Sequence, residues 1–129
     1  MYAGNLTDVG GMRELLARHG FSFSKALGQN FLINPSVCPR MAEACREGMP
    51  ERFAALEIGP GIGVLTRELA GVAEKVVSVE LDRRLLPVLA ETVGECSNVE
   101  IVQGDAMKLD LAELIRRTAP GLPLAVCAN

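Results

Sequence analysis

Apolar residues along this chain change their spacing near residue 53. Before it they recur at helical intervals: Met12, Leu15 and Leu16 follow two capping candidates, Thr7 and Asp8, and Gly20 marks the stop. A loop rich in Ser, Gly and amide residues is expected over 21–32. Asn34-Pro35 predicts the start of a second helix running to about Gly48, because the Asn oxygen takes an orphan amide and proline loses nothing at the first helical position. From Phe53 onward, short apolar runs alternate with helix-like segments, the pattern of βαβ units and a parallel sheet. Strands are expected at 53–58, 75–80, 99–103 and 123–128, and helices near 63–70, 83–92 and 109–119. Pro87 should sit in or just past the first turn of the middle helix and kink it slightly. The fold class expected is α/β: an open parallel sheet of about four strands, order 3-2-1-4, with helices on both faces. Ligands of such sheets bind beyond the carboxyl ends of the strands, near the point where strand order reverses.

Composition narrows the class. The chain has 129 residues, 49% hydrophobic and 22% charged, with a formal net charge of −3. A chain this apolar buries enough surface to offset the entropy of ordering, so disorder is excluded, and the length excludes a second complete domain. No stretch approaches the roughly 20 apolar residues that cross a bilayer, and the first twelve residues lack the pattern of a signal peptide. The expectation is a cytoplasmic protein with no membrane partner. Cys38, Cys45, Cys96 and Cys127 form no C-x-x-C pair, so neither a metal site nor a redox motif is indicated. Cys38 and Cys45, seven apart, share one helix face, as core residues do. Charge is uneven: residues 1–52 hold six Lys or Arg against five Asp or Glu, and residues 53–129 seven against eleven. This permits a phosphate-facing amino end without demonstrating one.

The first strand ends in Glu57-Ile58-Gly59-Pro60-Gly61-Ile62-Gly63 and leads straight into a helix. Glycines at 59, 61 and 63 allow a tight turn that a ligand can approach closely. Dinucleotide sites use G-x-G-x-x-G, but here Val64 stands where the third glycine belongs. A pyrophosphate wants backbone amides, and Glu57 beside the turn would repel it. S-adenosylmethionine, with its sulfonium and ammonium, fits the carboxylate better than NAD does. For Glu57 alone, local pairing is an equal alternative. Glu80, 17 positions after Gly63 at the end of the second strand, is placed to accept both ribose hydroxyls of a nucleotide-like cofactor, a reading that the neighbouring glycine turn favours over the alternative of a solvated strand end. Asp82 is read as a cap for the next helix. Asp105, after Gly104 at the end of the third strand, is placed either to accept an adenine amine or simply to form a turn. Asn129 ends the fourth strand with one acceptor and two donors, and a frayed terminus is its alternative. His19, the only histidine, suits a helix end and takes no catalytic role. Lys25-Ala26-Leu27-Gly28-Gln29-Asn30-Phe31-Leu32 could fold over a cofactor or contact RNA, though composition alone favours packing by Phe31 and Leu32.

The runs Lys25-Ala-Leu-Gly-Gln-Asn-Phe-Leu32 and Leu56-Glu-Ile-Gly-Pro-Gly-Ile-Gly63 with Leu65-Thr66, then Glu80-Leu81-Asp82, Gly104-Asp105-Ala106 and Cys127-Ala128-Asn129, make positions 22–129 similar to the amino-terminal catalytic half of the ribosomal RNA adenine dimethylases. The resemblance implies a Rossmann-like S-adenosylmethionine-dependent methyltransferase fold and methylation of the N6 amines of two adjacent adenosines in small-subunit rRNA. It implies that Asn30 and Leu32 line the methionine end of the cofactor, with Gly59 and Gly61 presenting the turn. It places Glu80 on the ribose, Asp105 on the adenine, and Asn129 as acceptor from the target amine. Enzymes that methylate large-subunit rRNA share much of this; Leu27-Gly28 and Gly104-Asp105-Ala106 resemble the small-subunit branch. Residues 1–52 would then be amino-terminal helices and a cofactor-covering loop, and 53–129 the first half of the methyltransferase domain.

After Asn129 the Leu-Pro-Tyr of that family is missing, with the aromatic that stacks on the flipped base, the later strands and a small helical domain. The expectation is therefore a truncated unit that binds cofactor but is catalytically incomplete, with small-subunit rRNA and the small-subunit precursor as partners of the intact enzyme. A final strand with Leu122, Leu124, Val126 and Cys127 short of neighbours predicts self-association. The reaction expected is direct displacement on the sulfonium methyl, by alignment and without metal or covalent intermediate. Two other readings remain: an NAD-dependent oxidoreductase, and a non-catalytic RNA- or ribosome-binding module.

Overall fold

In the computed structural model, which describes residues 6, 8–21 and 35–128, the four apolar runs are parallel strands. They are β1 (Ala54–Ile58), β2 (Lys75–Glu80), β3 (Val99–Gln103) and β4 (Leu124–Ala128), in the order β3-β2-β1-β4. All four carboxyl ends therefore lie along one edge. Around them stand α1 (Val9–Arg18), α2 (Val37–Glu47), α3 (Val64–Ala70), α4 (Leu86–Val93) and α5 (Leu111–Thr118).

Strand alternation sorts the side chains between the two faces. On one face Ala55, Val76 and Cys127 pack with Cys38 and Ala42 of α2 and Leu65 and Leu69 of α3. On the other, Leu56, Val77 and Val79 pack under Leu114 of α5. A third cluster joins Met12, Leu15 and Leu16 of α1 to Ile62, Leu85 and Val88, seating α1 on the glycine turn and α4. Each large side chain fully buried in this way contributes about 1.5–3 kcal/mol. Of the four residues expected to lack neighbours, Leu122 lies before β4 and is half-buried, and Cys127 is buried, because alternation turns it toward α2. Leu124 and Val126 point the opposite way and are 38% and 64% exposed.

Caps decide the helix boundaries. Asp8 is the cap of α1, accepting from the Gly11 amide at 2.9 Å, and Gly20 with φ +80° ends the helix as expected. Thr7, the other candidate, and Asn34 lie outside the described residues. Pro35 is not the first residue of α2: Pro35 and Ser36 form a turn, and the helix begins at Val37. The single helix expected at 83–92 is divided in two. Asp82 caps a 3₁₀ turn, Arg83–Leu85, and the α-helix starts at Leu86, with Pro87 in its first turn where a missing N–H costs little. The helix expected from residue 109 starts at Leu111, because the amides of Lys108 and Leu109 both turn back to the Asp105 carbonyl and Asp110 supplies the cap. Among the described residues no helix is long and apolar enough to cross a membrane.

Candidate functional site

Three acidic residues reach the carboxyl edge from neighbouring strands, and each carboxylate is engaged differently. Glu57 of β1 stands opposite Ser78 of β2 and is 1% exposed. Its Oε1 accepts from Thr66 Oγ1 at 2.6 Å and Ser78 Oγ at 2.8 Å. Burial pushes the Glu57 carboxyl above its ordinary value; the two hydroxyls pull it back, and the Glu80 charge adds to the rise. Of the two readings that the sequence left level, local pairing is the one seen.

Glu80 ties three loops together. Its Oε1 accepts from the Gly61 amide at 3.1 Å, its Oε2 from the Asp82 amide at 2.9 Å, and its carbonyl from the Gly104 amide at 2.9 Å. A carboxylate offers about four lone-pair positions, so each oxygen retains the capacity to accept one further hydroxyl. Those two free acceptor positions match the two donors of a ribose diol.

The turn itself is left-handed at Gly59, Gly61 and Gly63, with φ of +71°, +60° and +96°. The Gly59 amide donates to Val79 O and the Gly63 amide to Pro60 O, both at 2.9 Å, while the Gly61 amide meets Glu80. All three glycine N–H groups are thus spent inside the protein, whereas a pyrophosphate cradle needs them facing outward. A Cβ on Gly59 would meet nothing within 4 Å, so a ligand can approach the backbone there. A Cβ on Gly63 would lie 2.9 Å from Thr92 Oγ1 and 3.0 Å from Val93 Cγ1, so this glycine serves the contact between α3 and α4.

Asp105 shapes the turn after β3: its Oδ1 accepts from the Met107 amide at 2.9 Å. Asn30, Leu32 and Asn129, with the rest of the 25–32 motif, lie outside the described residues. His19, at the end of α1, pairs through Nε2 with Glu91 of α4 at 2.6 Å, and Arg18 meets the other Glu91 oxygen at 2.6 Å. Among the described residues no group of three or more His, Cys, Asp or Glu is placed to hold a metal ion, and the four cysteines are unpaired. An apolar hollow of about 340 Å³ lies between α4 and β3, bounded by Leu86, Leu89, Val99 and Ile101; none of the three carboxylates bounds it.

Sequence reasoning missed the partners of these acids. Thr66 and Ser78 were detectable in principle, Ser78 being the polar residue inside an apolar run and in phase with Glu80. Arg84, whose Nε and Nη2 grip the two Asp82 oxygens at 3.0 and 2.7 Å while its guanidinium lies 5.2 Å from the Phe21 ring centroid, carried no comparable signal.

The family model "Ribosomal RNA adenine dimethylase" matches residues 20–129. Ribosomal RNA small subunit methyltransferase A of Lysinibacillus sphaericus is 47% identical over 118 residues, 91% of this chain and 40% of that protein. The same-named protein of Geobacillus thermodenitrificans is 49% identical over 86% of this chain and 37% of its own length. This chain therefore spans about two fifths of these relatives. Among solved structures, a dimethyladenosine transferase from Plasmodium falciparum superposes with TM-score 0.57 at 26% identity, covering 74% of this chain and 32% of that one. The 23S rRNA methyltransferase ErmE does so with TM-score 0.57 at 28% identity, covering 77% and 48%.

Proposed function

This chain belongs to the ribosomal RNA adenine dimethylase family, and we propose that it is the S-adenosylmethionine-binding part of an enzyme that methylates the N6 amines of adjacent adenosines in small-subunit ribosomal RNA. The observation that carries this reading is the pairing of Glu80 with a glycine turn whose amides are already used. Such a rim suits a cationic, ribose-bearing ligand and offers a pyrophosphate little, which disfavours the NAD-dependent alternative. When bound, S-adenosylmethionine supplies a methyl group on a positively charged sulfur, ready for displacement by an amine.

Residues of this chain hold and orient. Glu80 accepts the two ribose hydroxyls, Asp105 accepts from the adenine amine, and Gly59 and Gly61 let the ligand lie against the backbone. Glu57, buried beneath the turn, accepts from Thr66 and Ser78 and so ties the start of α3 to β1 and β2 without direct contact with the ligand. The roles given to Asn30, Leu32 and Asn129 stand as the resemblance implies them. Residues 1–52 act as amino-terminal helices with a covering segment, and 53–129 as the first half of the methyltransferase domain. The RNA and the small-subunit precursor are the partners, in the cytoplasm.

Calorimetric titration of S-adenosylhomocysteine and NAD into the purified chain tests this. The expected result is binding of the former and not the latter. Glu80→Ala should weaken it about 10- to 100-fold, since losing a charged acceptor of hydroxyls costs roughly 1.5–3 kcal/mol. Preference for NAD, or an unchanged affinity in a folded Glu80→Ala protein, overturns the assignment.

A further inference from the structure

Exposed ion pairs contribute little to stability and hold two long side chains at an entropic cost. The Arg84–Asp82 pair is nonetheless fully formed. Two guanidinium nitrogens meet both carboxylate oxygens at 3.0 and 2.7 Å, and the Arg84 amide also donates to Oδ1 at 2.9 Å, although the Arg84 side chain is 75% exposed. A planar guanidinium is suited to grip a carboxylate with its edge and cover an aromatic ring with its face. Here the ring is Phe21, which leaves the end of α1 with its amide on Leu16 O and packs against the cluster of α1, Ile62 and α4.

The same Asp82 that Arg84 grips donates its backbone amide to Glu80 Oε2, and the other Glu80 oxygen holds Gly61. Phe21, Arg84, Asp82, Glu80 and Gly61 form one continuous line from the end of α1 to the glycine turn. We propose that Arg84 is a positioning residue: braced against Phe21, it fixes the turn after β2 and thereby the angle at which Glu80 presents its carboxylate to a ligand. This rests on the reading of Glu80 as the ribose acceptor. Losing the guanidinium leaves the Asp82 carboxylate held by the Arg84 amide alone, loosens the turn whose Asp82 amide anchors Oε2, and lets Glu80 leave its two-amide orientation.

The test compares the parent chain with Arg84→Ala, Arg84→Lys, Phe21→Leu and the Arg84→Ala/Phe21→Leu double variant, titrating each with S-adenosylhomocysteine. Hydrogen exchange at the Gly61 and Asp82 amides is followed in parallel. Arg84→Ala is expected to weaken binding about tenfold and to speed exchange at those two amides while leaving the melting temperature nearly unchanged. Arg84→Lys restores part of the affinity, because an ammonium can hold one Asp82 oxygen or cover the ring but cannot match the two-point grip. Phe21→Leu keeps the apolar contact, weakens binding by a smaller factor, and adds nothing once Arg84 is gone. Binding by Arg84→Ala within twofold of the parent, or losses that multiply in the double variant, overturns the proposal while the cofactor reading stands. A parent chain that does not bind S-adenosylhomocysteine overturns both.

Discussion

Glu57 shows what a single carboxylate requires in order to stand inside a parallel sheet. Two hydroxyl donors converge on one of its oxygens, yet burial still outweighs them and keeps its pKa above the ordinary 4.5. A raised folded-state value favours the protonated form on folding. The stability linked to it is fully present below about pH 4.5 and is lost as pH climbs through the raised value. Urea midpoints of the parent chain should therefore carry a declining component above pH 4.5 that is missing in Glu57→Gln, whose amide oxygen still accepts from Thr66 and Ser78. An identical pH slope in the two proteins would contradict this. The surface acids Glu74 and Glu91, lowered by hydrogen bonds with Arg52 and with His19 and Arg18, act below that window with the opposite sign. The position of Glu57 beside the turn was legible from the sequence, but its direction was not. Direction depends on Thr66 and Ser78, which the fold brings from a helix and a neighbouring strand.

At the scale of elements, the strands were legible almost to the residue, because the apolar runs are short and bounded by turn signals. Helix starts were less so, since local hydrogen bonding overrules periodicity there: Asp110 caps α5 and moves its start to Leu111, and the segment after Asp82, the expected cap, became a 3₁₀ turn before α4 began at Leu86. The glycine turn was recognised as a unit, yet its glycines have separate tasks. Gly63→Ala combines a strained φ, costing about 1–2 kcal/mol, with overpacking against Thr92 and Val93 worth roughly 1–3 kcal/mol more. Gly59→Ala incurs only the first of these, because its Cβ would enter open space. Urea denaturation should rank Gly63→Ala as the less stable protein. Titration with S-adenosylhomocysteine should show that Gly59→Ala loses affinity despite milder destabilisation. The reverse ranking would refute this division of tasks.

For the molecule as a whole, right-handed crossovers between parallel strands leave few possible orders, and this is why β3-β2-β1-β4 could be read in advance. Coverage of the two faces could not, since it depends on where each helix settles. α2 and α3 cover the face on which Ala55 and Val76 stand in phase with Glu57 and Glu80, while α5 covers the opposite face only over β1–β3. Leu124 and Val126 remain open on β4, whose one partner among the described strands is β1. This 129-residue chain should self-associate with rising concentration, and Val126→Lys should shift it to monomer; light scattering that finds the parent monomeric throughout would refute that. The glycine turn has one further consequence. Since Gly59, Gly61 and Gly63 already donate to Val79, Glu80 and Pro60, the bend keeps its outline without a guest. An arriving molecule meets a finished rim, and none of the affinity gained by contact is consumed in ordering that part of the chain.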